Sequence, residues 1–527
     1  MKVVLAEKVS PATLAVFQSE AGWQILTHDQ IKNLPESLAD ADALVVRSAV
    51  QVDDALMAAA PNLRVIGRAG VGVDNIDAEA ATRRGIVVMN TPGANAIAVA
   101  ELALGLMIAL ARQLPRADST MHAGKWEKKS LQGSELHGKK LGILGLGRIG
   151  LEVARRARQF GMELLGHDPF VSASIARENT IRLVSAEELF ALSDFITLHV
   201  GLTPQTEGIV NAASIATMKK GVRIINCARG ELVVEADLAE ALKSGHVAGA
   251  ALDVFHEEPP KNSPFAALDN VILTPHIAGS TAEAQEAVGI QIALQVREYL
   301  KSGIAQNAVN SPSLSHEEYQ ELAPWMTLAE RLGTFLAQIP RGSIDSIQIA
   351  YHGRLAESKT ELIRNSAIAG VLGHLEQVNR INAASVAAER GIRLHEEKTE
   401  EPAGAAGSVL QLSLHTSETS ITASGAVLHG DAPRLLHLDG IDIEAPLQGT
   451  LITIRNKDVP GVIGRIGTIL GEHNVNIANF ALGRSNGHDA APASAIAVVQ
   501  VDGIVTDAAL RELRAVPAIT GVRLVTL

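Results

Sequence analysis

An α/β architecture, built twice in succession and followed by two smaller α+β units, is the fold class this chain predicts. Three observations carry the prediction. Short β-rich runs alternate with helical ones from residue 2 to about residue 300. A glycine-rich turn, Gly145-Leu-Gly147-Arg-Ile-Gly150, lies between an apolar run at 141–144 and a helix-like stretch at 151–160. From residue 450 the pattern reads β-α-β-β-α-β, the order of a ferredoxin-like split βαβ.

The first unit opens with strands expected at 2–6, 43–47, 65–68 and 86–89, with helical patterns at 52–60 and 78–84 between them. Such alternation folds as a parallel sheet with helices on its faces. A long apolar helix follows at 96–114; it carries Glu101, is short of a membrane span and reads as a buried core helix. The glycine turn then opens a second α/β unit, whose later strands are expected at 196–200, 223–226, 249–253 and 271–274. A helical stretch after 281 runs to about 300, and 308–315 reads as a linker. The region 317–449 mixes helices with β-like stretches at 344–351 and 409–414. Its charged, small-residue-rich patch at 396–407 is expected to be a loop. The last unit has strands at 451–455, 477–484, 494–501 and 521–526, and helices at 462–472 and 506–515.

Composition narrows the function classes. A chain of 527 residues holds several domains. A net charge of -12 argues against a nucleic-acid partner and against a polybasic membrane anchor. The single cysteine, Cys227, excludes an internal disulfide and thiolate metal clusters, and no histidine spacing resembles a zinc site, so no metal is expected. Residues 1–6 lead straight into a strand pattern without the basic and apolar segments of an export signal. A cytoplasmic location is therefore expected.

The glycine turn has the spacing that holds a dinucleotide pyrophosphate. Gly145 permits the tight turn, Gly147 lets the backbone approach phosphate, and Gly150 lets the helix pack close to the sheet. Asp168, after the next apolar run, stands near the spacing of the carboxylate that binds the adenosine ribose hydroxyls. A carboxylate there repels a 2′-phosphate, and no Arg or Lys directly follows it, so NAD is expected rather than NADP. The alternative is that Asp168 only caps the turn before Pro169.

Ligands of parallel sheets bind outside the carboxyl ends of the strands. The segments Thr203-Pro204, Asn226-Cys227-Ala228-Arg229-Gly230, Asp253 and Pro275-His276 all fall there. Hydride transfer needs a proton partner, a cation for the substrate and a positioned nicotinamide. His276 suits the proton, Glu258 suits the task of orienting its ring, and the donor fork of Arg229 suits a 2-hydroxy acid's carboxylate. Each also admits a structural reading: a histidine at a proline turn, a surface acid, an arginine capping a helix.

The motifs Gly145–Gly150, His167-Asp168-Pro169, Asn226-Cys-Ala-Arg229-Gly230, Asp253-Val-Phe with Glu258-Pro259, and Pro275-His276-Ile-Ala-Gly-Ser280-Thr281 resemble those of the D-isomer-specific 2-hydroxyacid dehydrogenases. That resemblance implies a catalytic set of His276, Glu258 and Arg229. It implies NAD contacts from Gly145, Gly147, Arg148, Ile149, Gly150, Asp168, His199, Thr203, Thr206, Cys227, Ala228, Arg229, Asp253, His276 and Gly279. It implies two Rossmann-like domains: a flavodoxin-like substrate domain at 1–95 and 287–311, and an NAD-binding domain at 96–286. The loops Arg68-Ala-Gly70-Val-Gly72-Val-Asp74-Asn-Ile-Asp77 and Asn90-Thr-Pro-Gly-Ala-Asn95 are similar to those of the family's long branch. So are 330–338 and 387–392, and Arg455-Asn456-Lys-Asp458-Val-Pro460-Gly461 with Asn474-Val-Asn476. This branch carries an intervening α+β domain, here 317–449 and allosteric substrate-binding-like, and a regulatory ACT domain, here 450–527. The likeness to it implies oxidation of 3-phospho-D-glycerate to 3-phosphonooxypyruvate, the first committed step of L-serine synthesis, by a homo-oligomer, dimer or tetramer.

Substrate contacts are expected from Arg47, Ser48, Arg68 and Asn95, with backbone amides from Gly70, Val71 and Gly72. Arg47 and Arg68 sit at strand ends where they suit a phosphate. L-serine is the expected effector, at Asn456, Asp458 and Asn476. Gly201 departs from the proline usual in the family, which loosens that loop and removes no reacting group. Two rival readings share the motifs: a dehydrogenase for another D-2-hydroxy acid, such as 2-hydroxyglutarate, and a non-enzymatic NAD-sensing corepressor.

Overall fold

The computed structural model describes every residue except 341, 374, 376, 377, 403–406 and 486–493. Its first sheet is wholly parallel, with strands Lys2–Leu5, Gln24–Leu26, Ala43–Val46, Val65–Arg68 and Val87–Met89 in the spatial order 2-1-3-4-5. Val3, Val4, Leu44, Val45 and Ile66 are buried; a strand covered on both faces needs the continuous apolar runs seen here rather than alternation. One cover is helix Ala282–Ser302, which returns from far along the chain. It packs Val288, Ile292 and Val296 against Val3, Val45 and Val65. The approach is close: a Cβ on Gly67 would lie 2.7 Å from Val296 Cγ2. Thr281 caps this helix, which is continuous through 286 and 287.

The second sheet is also parallel. Its strands are Lys140–Leu144, Glu163–His167, Arg182–Leu183, Phe195–Leu198, Val222–Asn226, Val247–Leu252 and Val271–Leu273, in the spatial order 3-2-1-4-5-6-7. This is the doubly wound Rossmann order, with its switch point between the first and fourth strands. Helix Ala96–Arg112 packs Ala100, Ala103, Leu106 and Met107 into the core beneath it. The single helix expected over 96–114 is two. Gln113 is left-handed, and Leu114–His122 starts anew at a bend of 63°. Pro115 explains the break, because it has no N–H to donate to Ala111 O and its ring would clash with that carbonyl in a continuous helix.

The third unit packs helices His316–Ala337 and Thr360–Leu372 against a six-stranded sheet of Arg393–Thr399, Ile344–His352, Val409–Thr416, Ser420–Leu428, Ala432–Leu438 and Ile441–Pro446. The expected loop at 396–407 is partly strand. Glu396 to Thr399 extend an edge strand paired in parallel with Ile349 to His352, while 403–406 lie outside the described residues. This strand is largely exposed and carries charge, so the alternation that marks a half-buried strand is missing.

The fourth unit is an antiparallel sheet of Asn476–Arg484, Ser494–Asp502, Thr450–Lys457 and Ile519–Thr526, in that spatial order. It is covered by helices Val462–Glu472 and Asp507–Ala515. Its other face is not free. Leu451, Ile496, Val498 and Val525 belong to the core of the third unit, and Arg523 Nε donates to Ile339 O at 3.0 Å. The third and fourth units therefore share one hydrophobic interior. The third unit meets the first through Asn379 Nδ2, which donates to Gly85 O (2.9 Å), and Asn382 Nδ2, which donates to Arg83 O (3.1 Å). Among the described residues no single helix is long and apolar enough to cross a membrane, and no cluster of His, Cys, Asp or Glu could hold a metal ion.

The helix pair of the third unit depends on two glycines. A Cβ on Gly370 would lie 2.0 Å from Glu330 O, and one on Gly333 would lie 2.3 Å from Ala367 O. Backbone cannot step aside as a side chain can. Gly370→Val is expected to cost about 1–3 kcal/mol by overpacking and to lower the thermal midpoint. Gly467→Ala, in a helix with nothing within 4 Å of the new atom, is expected to hold or raise it. Equal midpoints for Gly370→Val and the parent chain would contradict the packing described.

Candidate active site

The turn after strand Lys140–Leu144 is built by three glycines. Gly145 has φ +94°, which a side chain resists, and its Cβ would lie 2.5 Å from His199 O at the end of the fourth strand. Gly150 packs helix onto turn, since its Cβ would lie 2.0 Å from Gly145 O. Gly147 is the N-cap of helix Arg148–Gln159, and no protein atom lies within 4 Å of where its Cβ would be. A helix N-terminus facing open space beside a glycine is suited to a pyrophosphate. Ile149 packs beneath, partly buried in the core of the second unit.

The side chain of Arg148 does not point along this turn. It crosses to the first unit, where Nη1 donates to Pro92 O and its stem lies against Gly93. Asp168 stands beside the glycine turn. Oδ2 accepts from Leu146 N and Oδ1 from Phe170 N, each at 2.8 Å, so the carboxylate is held beside the glycine turn and caps its own turn as well. His199 is partly buried, with its Nδ1 shielded from solvent. Its Nε2 meets Thr197 Oγ1 at 2.9 Å and its Nδ1 has no partner in the protein. Thr203 and Thr206 close an exposed turn by bonding to each other, with Thr206 Oγ1 donating to Gly201 O at 2.7 Å.

At the fifth and sixth strand ends the polar groups face one another. Asn226 is buried; its amide donates to Arg229 O (2.8 Å) and its carbonyl oxygen accepts from Ala228 N (3.0 Å), which shapes the turn carrying Cys227, Ala228 and Arg229. Burial, then the Asp253 charge, push the Cys227 thiol up, so it stays protonated. Arg229 makes no side-chain cap to the short helix after it. Its Nη1 donates to Ala228 O at 2.7 Å and its Nη2 stands 3.3 Å from Asp74 Oδ2 of the first unit.

Asp253 is fully buried. Oδ1 accepts from Thr274 Oγ1 (2.6 Å) and Ile277 N (2.9 Å), and Oδ2 from Ala278 N (2.9 Å). These bonds hold the loop that carries His276, whose backbone sits at φ +53°, a costly conformation for a residue with a side chain. His276 Nδ1 is 2.7 Å from Glu258 Oε2, while Glu258 Oε1 accepts from Phe255 N at 3.0 Å. With Nδ1 donating to the carboxylate, Nε2 is the nitrogen that can take a proton.

The facing wall belongs to the first unit. Gly70 and Gly72 leave room for guanidinium groups: a Cβ on Gly70 would overlap Arg68 Nη1, and one on Gly72 would lie 2.1 Å from Arg229 Nη2. Burial lowers the Arg68 pKa, the neighbouring Arg229 charge lowers it further, and Arg47 adds to this, while Asp74 and Glu7 oppose it. Three arginines thus share one field. Arg47 is anchored at its backbone by Glu7 Oε1 (2.8 Å), and Ser48 follows it, exposed. Asn90 Nδ2 donates to Val71 O at 2.5 Å, and Asn95, with its Oδ1 buried and unpartnered, faces Gly279.

In the fourth unit Asn456 and Asp458 line a cavity of about 290 Å³ with Pro460, Phe480 and Arg484. Asp458 Oδ2 pairs with Arg484 Nε at 3.3 Å, and Asn456 Oδ1 is buried without a partner. Asn476 is not with them. It pairs with Asp502, at the far end of the strand whose Ala495 pairs with Asn456, about 23 Å away at strand spacing. A larger cavity of about 950 Å³ lies between the first and third units, lined by Arg64, Tyr299, Glu330 and Arg380 and by none of the expected site residues.

Comparison with known proteins agrees with this layout. Residues 104–278 match the NAD binding domain of D-isomer specific 2-hydroxyacid dehydrogenases, 321–439 the D-3-phosphoglycerate dehydrogenase intervening domain, and 450–518 the ACT domain. D-3-phosphoglycerate dehydrogenase of Methanocaldococcus jannaschii is 39% identical over 100% of both chains. That of Synechocystis is 39% identical over 98% of this chain and 93% of its own. The chain belongs to the D-3-phosphoglycerate dehydrogenase family. Solved structures share the two Rossmann-like units. A glyoxylate reductase from Paecilomyes thermophila is 32% identical with a TM-score of 0.53, covering 59% of this chain and 98% of its own. A D-lactate dehydrogenase from Aquifex aeolicus, complexed with NAD and lactic acid, is 28% identical with a TM-score of 0.52, covering 59% and 100%.

Three residues absent from the expected set help build the site in this family member. Asp74 had a signal, its place in the glycine loop; Asn226 and Thr274 sit inside quoted or adjacent motif segments but show their roles only through their partners. The partly buried His199 yields a stability prediction. Burial pushes its pKa down to about 4 from 6.5. Between those values the unfolded chain binds a proton that the folded site excludes, so stability falls as pH drops through about 6.5 toward 4 and is unaffected by this group above. His199→Gln is expected to flatten that part of a plot of thermal midpoint against pH. An unchanged slope would show that His199 charges without penalty in the fold.

Proposed function

We propose that this protein oxidises 3-phospho-D-glycerate to 3-phosphonooxypyruvate with NAD, the first committed step of L-serine synthesis. The observation that carries the reading is the pairing of His276 with Glu258 opposite the field of Arg47, Arg68 and Arg229. The glycine turn, the anchored Asp168 and the unpartnered polar atoms of His199 and Asn95 fit NAD along the switch point. Bound NAD supplies the hydride acceptor. Arg229 holds the substrate carboxylate and sets C2 in place. His276 Nε2 takes the C2 hydroxyl proton as the C–H bond breaks and the carbonyl forms, and Glu258 stabilises the resulting imidazolium. Arg47 and Arg68 receive the phosphate, with Ser48 and the amides of 70–72 beside them.

The same reading extends to regulation. Asn456 and Asp458 suit the amide and ammonium contacts of L-serine, and Asn476, at the opposite end of the sheet, would join that set only across a contact between two copies; the reading includes a cytoplasmic homo-oligomer, dimer or tetramer. Because the last two units share a core, binding is best measured on the full chain. Calorimetry should detect L-serine at millimolar concentration, and no heat there would remove the effector assignment.

His276→Ala is expected to lower turnover by about two orders of magnitude or more while NADH binding, read by fluorescence, persists. Normal turnover would sink the proton role. Arg47→Ala is expected to reduce kcat/KM for 3-phospho-D-glycerate more than for an unphosphorylated analogue. Equal losses on both would count against a phosphate contact.

A further inference from the structure

The ion pair between Asp74 and Arg229 crosses from the loop after strand Val65–Arg68 to the strand end of the second unit. It sits in the cleft at the guanidinium assigned above to the substrate. Arg229 Nη1 is already engaged with Ala228 O, and Asp74 stands on Nη2. Nη2 carries one N–H for each of the two-donor faces a guanidinium offers to a carboxylate, so Asp74 stands at a nitrogen that either face uses. Gly72 makes the contact possible: a Cβ there would lie 2.1 Å from Arg229 Nη2 and 2.7 Å from Asp74 Oδ2. The carboxylate has the same chemistry as the group a 2-hydroxy acid presents. It also offsets the like charges of Arg68 and Arg229, which face each other across the loop.

We propose that Asp74 is a positioning residue and a built-in competitor for Arg229, its carboxylate holding the guanidinium that the substrate carboxylate must take, so that Asp74 sets substrate affinity. This rests on the functional reading above. With its side chain 74% exposed, Asp74 is screened, so its hold on Arg229 is weak enough for a substrate bearing both carboxylate and phosphate to displace it. A purely structural Asp74 would hold the loop in place, and its loss would weaken binding; a competitor's loss strengthens it. The two roles have opposite signs.

The test is the steady-state comparison of the parent chain with Asp74→Asn and Asp74→Glu. Asp74→Asn is expected to lower KM for 3-phospho-D-glycerate by about 2–5-fold and to raise kcat/KM, with the ratio shrinking toward one as ionic strength rises from about 0.05 to 0.5 M. Asp74→Glu keeps the charge and is expected to hold KM within about two-fold of the parent. An unchanged or raised KM in Asp74→Asn would overturn the proposal, as would a fall in Asp74→Glu as large as in Asp74→Asn. Calorimetric binding of oxalate, a dicarboxylate that needs no turnover, is expected to tighten in Asp74→Asn. If the parent chain does not oxidise phosphoglycerate, the functional reading fails and the oxalate titration still decides the competition.

Discussion

The buried carboxylate of Asp253 is the constraint on which the catalytic arrangement depends. A charge out of water is expensive unless each oxygen is satisfied, and here Thr274, Ile277 and Ala278 supply three donors. Those donors flank Pro275 and His276, so the requirement to satisfy the carboxylate also forces the loop into one shape. His276 is thereby held at φ +53°, with its Nδ1 on Glu258. Local strain at a functional residue persists only where its surroundings over-determine it, and Asp253 does this. The parallel sheet delivers the parts: consecutive strand ends at Asn226, Leu252 and Leu273 put Arg229, Asp253 and His276 on one edge.

The first unit brings the opposite charge logic. Arg47, Arg68 and Arg229 repel one another, and Glu7 and Asp74 offset part of that field. An overall acidic chain thus concentrates cations at one cleft, which favours an anion bearing several charges. The third unit contacts the first unit on the side of this cleft's loop. Asn379 and Asn382 grip the Arg83–Gly85 turn, where helix Ala78–Arg83 ends, and that helix follows directly on the loop bearing Gly70, Gly72 and Asp74.

Much of this was legible from local pattern. The glycine turn, the apolar strands and the polar strand ends of both α/β units follow from short-range chemistry. The β-α-β-β-α-β order of the last unit matches its sheet strand for strand. What could not be read depends on distance or on missing pattern. The edge strand Arg393–Thr399 carries charge on both sides and shows no alternation. The break at Gln113 follows from Pro115, a cue that the strong apolar pattern of 96–112 outweighed. Arg148 stands among the expected NAD contacts, and its reach to Pro92 of the other unit has no local signal; Asn456 and Asn476 fall at opposite ends of one sheet. The shared core of the third and fourth units was hidden because Leu451 and Val498 alternate as ordinary strand residues whichever partner covers them.

The central claim is that one cleft reads a 2-hydroxy acid by its carboxylate, its hydroxyl and its phosphate together. Steady-state rates over a panel of D-2-hydroxy acids, with and without phosphate and with NAD or NADP, test it most directly. The account predicts the highest kcat/KM for 3-phospho-D-glycerate with NAD. An equal or higher value for D-lactate, D-glycerate or 2-hydroxyglutarate, or a preference for NADP, would contradict it.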